Sequence, residues 1–87
     1  MTMKMTMFVD SGHAWLKVTK EQAAEIGLEE QNLSVYSYKS KDAFFAEEDC
    51  DAATVILKHM ACFGTKPTIT EKYSERSRIR SYQSCNM

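Results

Sequence analysis

One proline, three glycines and two histidines are all this 87-residue chain has of the residues that usually build loops and reaction centres. Three glycines cannot supply a glycine-rich phosphate loop or a nucleophile elbow, and no G-x-S-x-G or Walker pattern occurs. Two histidines, His13 in a turn and His59 in a helical stretch, are too few for a two-histidine metal site that also needs a catalytic base. Cys50, Cys62 and Cys85 are odd in number and form no C-x-x-C pair, which argues against a disulfide framework and a structural zinc site. Apolar runs are short. The longest clean one is Val55-Ile56-Leu57, against the roughly 18 residues of a membrane span. The N-terminal M-T-M-K-M-T-M-F-V lacks the continuous apolar core and small-residue cleavage site of a signal peptide. The expectation is a cytoplasmic protein with reduced thiols, no cofactor, no metal and no catalytic residue.

What is present suits one small domain. A chain of this length buries about 60–65% of its unfolded surface, enough for a single thin core. The 44% hydrophobic and 26% charged content is that of a globular chain. Its net charge of −1 hides a segregation. Residues 21–51 carry nine acids against Lys39 and Lys41, a balance of −7, while residues 52–87 carry six bases against Glu71 and Glu75.

Met3, Met5, Met7 and Val9 alternate with Lys4, Thr6 and Phe8, which predicts a half-buried strand. Asp10-Ser11-Gly12-His13 reads as a turn, with Gly12 free to take positive φ, and Ala14–Val18 as the returning strand. Thr19 and Gln22 match a capping box for a short helix that Gly27 ends. Leu33–Ser40 alternates as a third strand and Ala43–Glu47 as a fourth. Asp49 or Asp51 starts a second helix running to about Cys62, with Gly64 just beyond its end. Ala52, Ala53, Ile56, Met60 and Phe63 make its apolar stripe. Pro67 opens a last strand, Thr68–Tyr73. The reading is an α+β domain over residues 1–74, in the order β-β-α-β-β-α-β. It has an antiparallel or mixed sheet with two helices packed on one face, and a polar, irregular tail over 75–87.

Three clusters are candidates for function. The acidic run Glu47-Glu48-Asp49-Cys50-Asp51 lacks the calcium-loop pattern, so its aspartates read as helix-start residues and Glu47 and Glu48 as exposed charge. In that setting the Cys50 thiolate is disfavoured by like charge. Trp15, Tyr36 and Tyr38 would share the outward face of paired strands, the residue types of binding hot spots. Together with Glu47, Glu48 and Asp49 they make the candidate partner-binding set. Arg76, Arg78 and Arg80, with Tyr73, form a small basic footprint that could meet nucleic acid, although a pI of about 6.1 disfavours it as the main ligand.

The stretches S-G-H-A-W-L-K-V (11–18), Y-S-Y (36–38), E-E-D-C-D-A (47–52) and S-R-I-R (77–80) resemble a group of small bacteriophage- and plasmid-borne proteins that have no assigned chemistry. The resemblance implies an accessory protein of the bacterial host cytosol that acts by binding, for example by inhibiting a defence complex or redirecting a host enzyme. The expected partner is a host protein, including nucleic-acid-handling ones whose basic groove the carboxylates could occupy. Nucleic acid itself is the alternative ligand and a small metal-assisted hydrolase using the acidic run and His59 a third reading. A homodimer through a sheet edge is compatible with so thin a core.

Overall fold

The structure is a computed structural model that describes residues 2–73, 79 and 82–86. It is an α+β fold, and the described residues form six strands in one mixed sheet and two α-helices. The elements are β1 (Lys4–Val9), β2 (Ala14–Thr19), α1 (Lys20–Glu25), β3 (Tyr38–Lys39), β4 (Ala43–Glu47), α2 (Ala52–Phe63), β5 (Thr68–Tyr73) and β6 (Gln83–Ser84). A 3₁₀ turn, Glu30–Asn32, follows α1. Strands lie in the order β5-β1-β2-β4-β3-β6; among the described residues only the β1–β5 pair is parallel, as the crossover through α2 requires.

The β1–β2 hairpin forms because Met3 to Val9 and Ala14 to Val18 alternate in phase. Its turn is held by the Asp10 carboxylate, whose Oδ1 accepts from Gly12 N (2.9 Å) and His13 N (2.8 Å). Gly12 does not take positive φ; among the described glycines Gly27 and Gly64 do. Thr19 and Gln22 close the expected capping box, and Gln22 also donates to the Lys4 carbonyl, tying α1 to β1. Gly64 ends α2 in the left-handed conformation at φ 75°.

Both helices feed the same core. Ala23 and Ile26 from α1 and its end, with Ala52 and Val55 from α2, pack on Met5, Leu16, Val18, Phe44 and Ala46 of the sheet. The buried face of α2 is turned from the expected stripe. Ala52, Val55 and His59 are buried and Ile56 and Phe63 half-buried, while Ala53, Leu57 and Met60 face solvent. His59 is the polar residue on that buried face. It is fully buried, its Nε2 accepts from Met3 N at 3.0 Å, and its Nδ1 donates to the Thr65 carbonyl at 2.6 Å. One imidazole in its neutral Nδ1–H form thereby pins the start of β1 to the loop after α2. With both nitrogens committed, His59 is not available as a base.

Two further expectations are corrected. Leu33–Ser37 is not a strand; only Tyr38–Lys39 pairs, with β4 on one side and β6 on the other. Side-chain hydrogen bonds from Ser34 and Ser37 to Asp51 hold this segment as a turn, which satisfies the backbone outside the sheet. The tail is not wholly irregular: Ile79 and Cys85 are buried, β6 adds a strand, and Cys85 N donates to the Ser37 carbonyl at 2.8 Å. Consequently the sheet face away from the helices is not bare. Trp15, Ala43, Phe45 and Ile79 form a second small core there, with Phe8, Tyr38 and Tyr82 packed around it.

Candidate functional site

Cross-strand register builds the site. Trp15 on β2 lies directly opposite Glu47 on β4, and Tyr38 on β3 opposite Phe45. Facing residues of paired strands share a face, and β4 alternates, so Trp15, Glu47, Phe45 and Tyr38 all point away from the helices. The second core covers Phe45, leaving the Glu47 end of this face as a cleft of about 340 Å³. Its walls are Trp15, Tyr38, Glu47 and His13, with Val35 and Tyr36 from the 34–37 turn and Asp49 and Cys50 from the turn between β4 and α2.

Five of the six sequence-derived partner-binding residues therefore converge: Trp15, Tyr36, Tyr38, Glu47 and Asp49. Glu48 is exposed beside them, its backbone N–H bound to the Ala14 carbonyl. Their exposure differs from the expectation. Trp15 is 2% exposed, so it is cleft floor and not a protruding anchor; Tyr38 is half-buried and Tyr36, at 66%, is the exposed ring. The Trp15 ring meets Tyr38 edge-on at 6.0 Å and His13 at 5.8 Å, which fixes the aromatic wall.

The acidic run divides into roles that composition does not reveal. Glu47, expected as exposed charge, is 6% exposed. Its Oε2 accepts from Asp49 N and Cys50 N at 2.9 Å each, so the glutamate ties down the turn before α2. Its Oε1 lies 3.8 Å from His13 Nδ1, beyond hydrogen-bond distance. Asp51 occupies the N-cap position of α2 but makes no side-chain cap bond. It is buried, and its Oδ2 accepts from Ser34 N (2.9 Å), Ser34 Oγ (2.7 Å) and Ser37 Oγ. Ser37 Oγ in turn accepts from Glu47 N at 2.9 Å. This network sets the 34–37 turn, and with it Tyr36, against the end of β4. Asp49 and Glu48 remain as solvent-facing carboxylates.

Cys50 is exposed, and a hydrogen bond to Glu47, with the surrounding carboxylates, raises its thiol pKa above the ordinary value. That is the reverse of what a nucleophilic cysteine needs. Among the described residues no group of three or more His, Cys, Asp or Glu side chains is arranged to hold a metal ion, and no helix is long and apolar enough to cross a membrane. Tyr73 is exposed at the end of β5, while Arg76, Arg78 and Arg80 lie outside the described residues.

Sequence reasoning missed His13, Val35 and Cys50 as cleft residues. His13 and Cys50 flank predicted site residues closely enough for a register argument to have found them. No family model, no curated protein and no solved structure matches the chain.

Proposed function

We propose that the protein is a non-enzymatic binding module, an accessory protein of bacteriophage or plasmid type that acts in the bacterial cytosol. It docks on a host protein through the cleft between β2, β4 and the 34–37 turn. The observation that carries this reading is the convergence of Trp15, Tyr36, Tyr38, Glu47 and Asp49, distant in sequence, on one cleft. Aromatic rings with a fixed scaffold behind them supply contact area at low entropic cost. The carboxylates of Glu48 and Asp49 at the rim favour a basic partner surface and speed its encounter. A host complex that handles nucleic acid, inhibited by occupation of its basic groove, fits that charge.

Quantitative affinity capture from a bacterial lysate tests the reading. A host protein retained by the wild type should be depleted with Tyr36→Ala and with Asp49→Lys, but not with Glu71→Lys on the distant β5 edge. Equal retention by all four proteins would overturn it.

A further inference from the structure

We infer that the cleft is a seat for one arginine side chain from a basic segment of the partner protein, an inference that rests on the cleft being the docking site. Size is the first argument. A volume of about 340 Å³ is at the low end of the roughly 300–1,000 Å³ of small-molecule sites and has room for one long side chain; the carboxylates that line it disfavour a phosphate-bearing ligand.

Charge selects the sign. Glu47 and Asp49 line the cleft, and among the described residues no lysine or arginine does. Glu47 is the stronger determinant because it cannot move: the two backbone N–H groups on Oε2 hold it, and the register with Trp15 keeps it inside. Its Oε1 retains hydrogen-bonding capacity, with His13 Nδ1 at 3.8 Å. A carboxylate held in place by backbone N–H groups on one oxygen presents the other to an incoming cationic donor, and a charge-assisted hydrogen bond there is stronger than a neutral one. Mobile rim charge alone would not discriminate; a buried, fixed oxygen does.

Aromatic walls and donor geometry then choose among cations. The Tyr38 ring, held edge-on to Trp15, and the exposed Tyr36 ring both line the cleft, and aromatic rings favour a flat cation stacked on them. Guanidinium is planar, weakly hydrated and presents a fork of N–H donors, so it stacks and hydrogen-bonds at once; an ammonium is compact and strongly hydrated. A quaternary ammonium has no N–H for Glu47 to accept. Cys50 takes no part beyond its contact with Glu47.

The test is an NMR titration of the full ¹⁵N-labelled chain with N-acetyl-Gly-Gly-Arg-Gly-Gly-amide, the citrulline peptide as uncharged isostere, and the lysine peptide. Arginine should shift amide resonances of Trp15, Tyr36, Asp49 and Cys50. Citrulline should bind at least about tenfold more weakly and lysine about threefold more weakly, the scale of one charged contact and of one stacking preference. Tyr36→Ala and Asp49→Asn, their folds verified by their own spectra, should each weaken arginine binding about threefold or more. The inference is overturned by citrulline binding as well as arginine, by shifts confined to other surfaces, or by none up to about 10 mM peptide, the weak end of measurable affinity. Failure of the arginine titration with capture still dependent on Tyr36 sinks the arginine seat alone. Capture indifferent to Tyr36 sinks the docking reading beneath it.

Discussion

Asp49 and Asp51 are two residues apart, chemically identical, and placed by the structure in opposite situations, so replacing each by alanine separates the account from a composition argument. In Asp51→Ala the backbone N–H of Ser34 and the hydroxyls of Ser34 and Ser37 lose their common acceptor. Three hydrogen bonds to a charged group are worth roughly 1.5–3 kcal/mol each in mutational series. Against that, the variant no longer bears the several kcal/mol of burying the carboxylate. Ser34 can turn its hydroxyl to water, but fully buried Ser37 cannot. The balance is a loss of about 3 kcal/mol, near the lower end of the ~3–5 kcal/mol cost of breaking a buried charged network. At ~4–8 °C per kcal/mol for a domain of this size, Tm should fall by roughly 12–24 °C. Asp49, exposed at the cleft rim, should cost within about 0.5 kcal/mol. Urea unfolding at pH 7, followed by the fluorescence of the single tryptophan, Trp15, measures both. Asp51→Asn, which keeps an acceptor oxygen, should fall between them. If Asp51→Ala loses no more than about 1 kcal/mol beyond Asp49→Ala, the network does not set the turn and the reasoning fails.

Other consequences follow from the same contacts. His59→Phe keeps the ring volume but leaves the Met3 N–H and the Thr65 carbonyl unpaired, and should cost about 2–4 kcal/mol in urea melts; a near-neutral result would show that His59 is not a tie. Burial pushes the Cys85 thiol up to about 11 from 9.0, so the folded state keeps its proton where the unfolded state has lost it. Stability should therefore fall as pH rises from 9 towards 11, and Cys85→Ala should lack that slope. Glu30 is held below the ordinary carboxylate range by Lys39 and by the Asn86 N–H. Its contribution is present at neutral pH and is lost as pH falls through the folded value, so Glu30→Gln should flatten the acid limb of a stability profile; an unchanged limb would contradict the Lys39 pairing. Under native conditions a thiol reagent should modify Cys62 and Cys50 and spare Cys85 until unfolding, and prompt reaction of all three would contradict the packing of the C-terminal residues.

The strands were legible because a period of two leaves little choice: Ala43–Glu47 and Thr68–Tyr73 have their expected bounds, and the hairpin follows from Met and Leu in alternation. Both helix ends were readable from Thr19, Gln22 and Gly64. Long-range satisfaction was not readable. The serines of 34–37 look like strand residues until Asp51, fourteen or more positions away, is brought to them. His59 looks like a boundary residue until β1 delivers the Met3 N–H. Within the site, the aromatic and acidic residues were identifiable by type, and Tyr36, Glu48 and Asp49 are exposed as expected, but the burial of Trp15 and Glu47 was not readable. Trp15 and Glu47 are inside because they face one another across β2 and β4 while Ile79 and Tyr82 cover the sheet beside them, a contact from residues read as tail.

Among the described residues, two surfaces are candidates for the proposed docking: the aromatic–acidic cleft and the solvent face of α2, where Leu57 and Met60 are exposed. Cross-saturation NMR on the complex with the captured host protein decides between them. Docking through the cleft attenuates Trp15, Tyr36, Asp49 and Cys50 and leaves Leu57 and Met60 unaffected. Attenuation along α2 with the cleft resonances intact would contradict it.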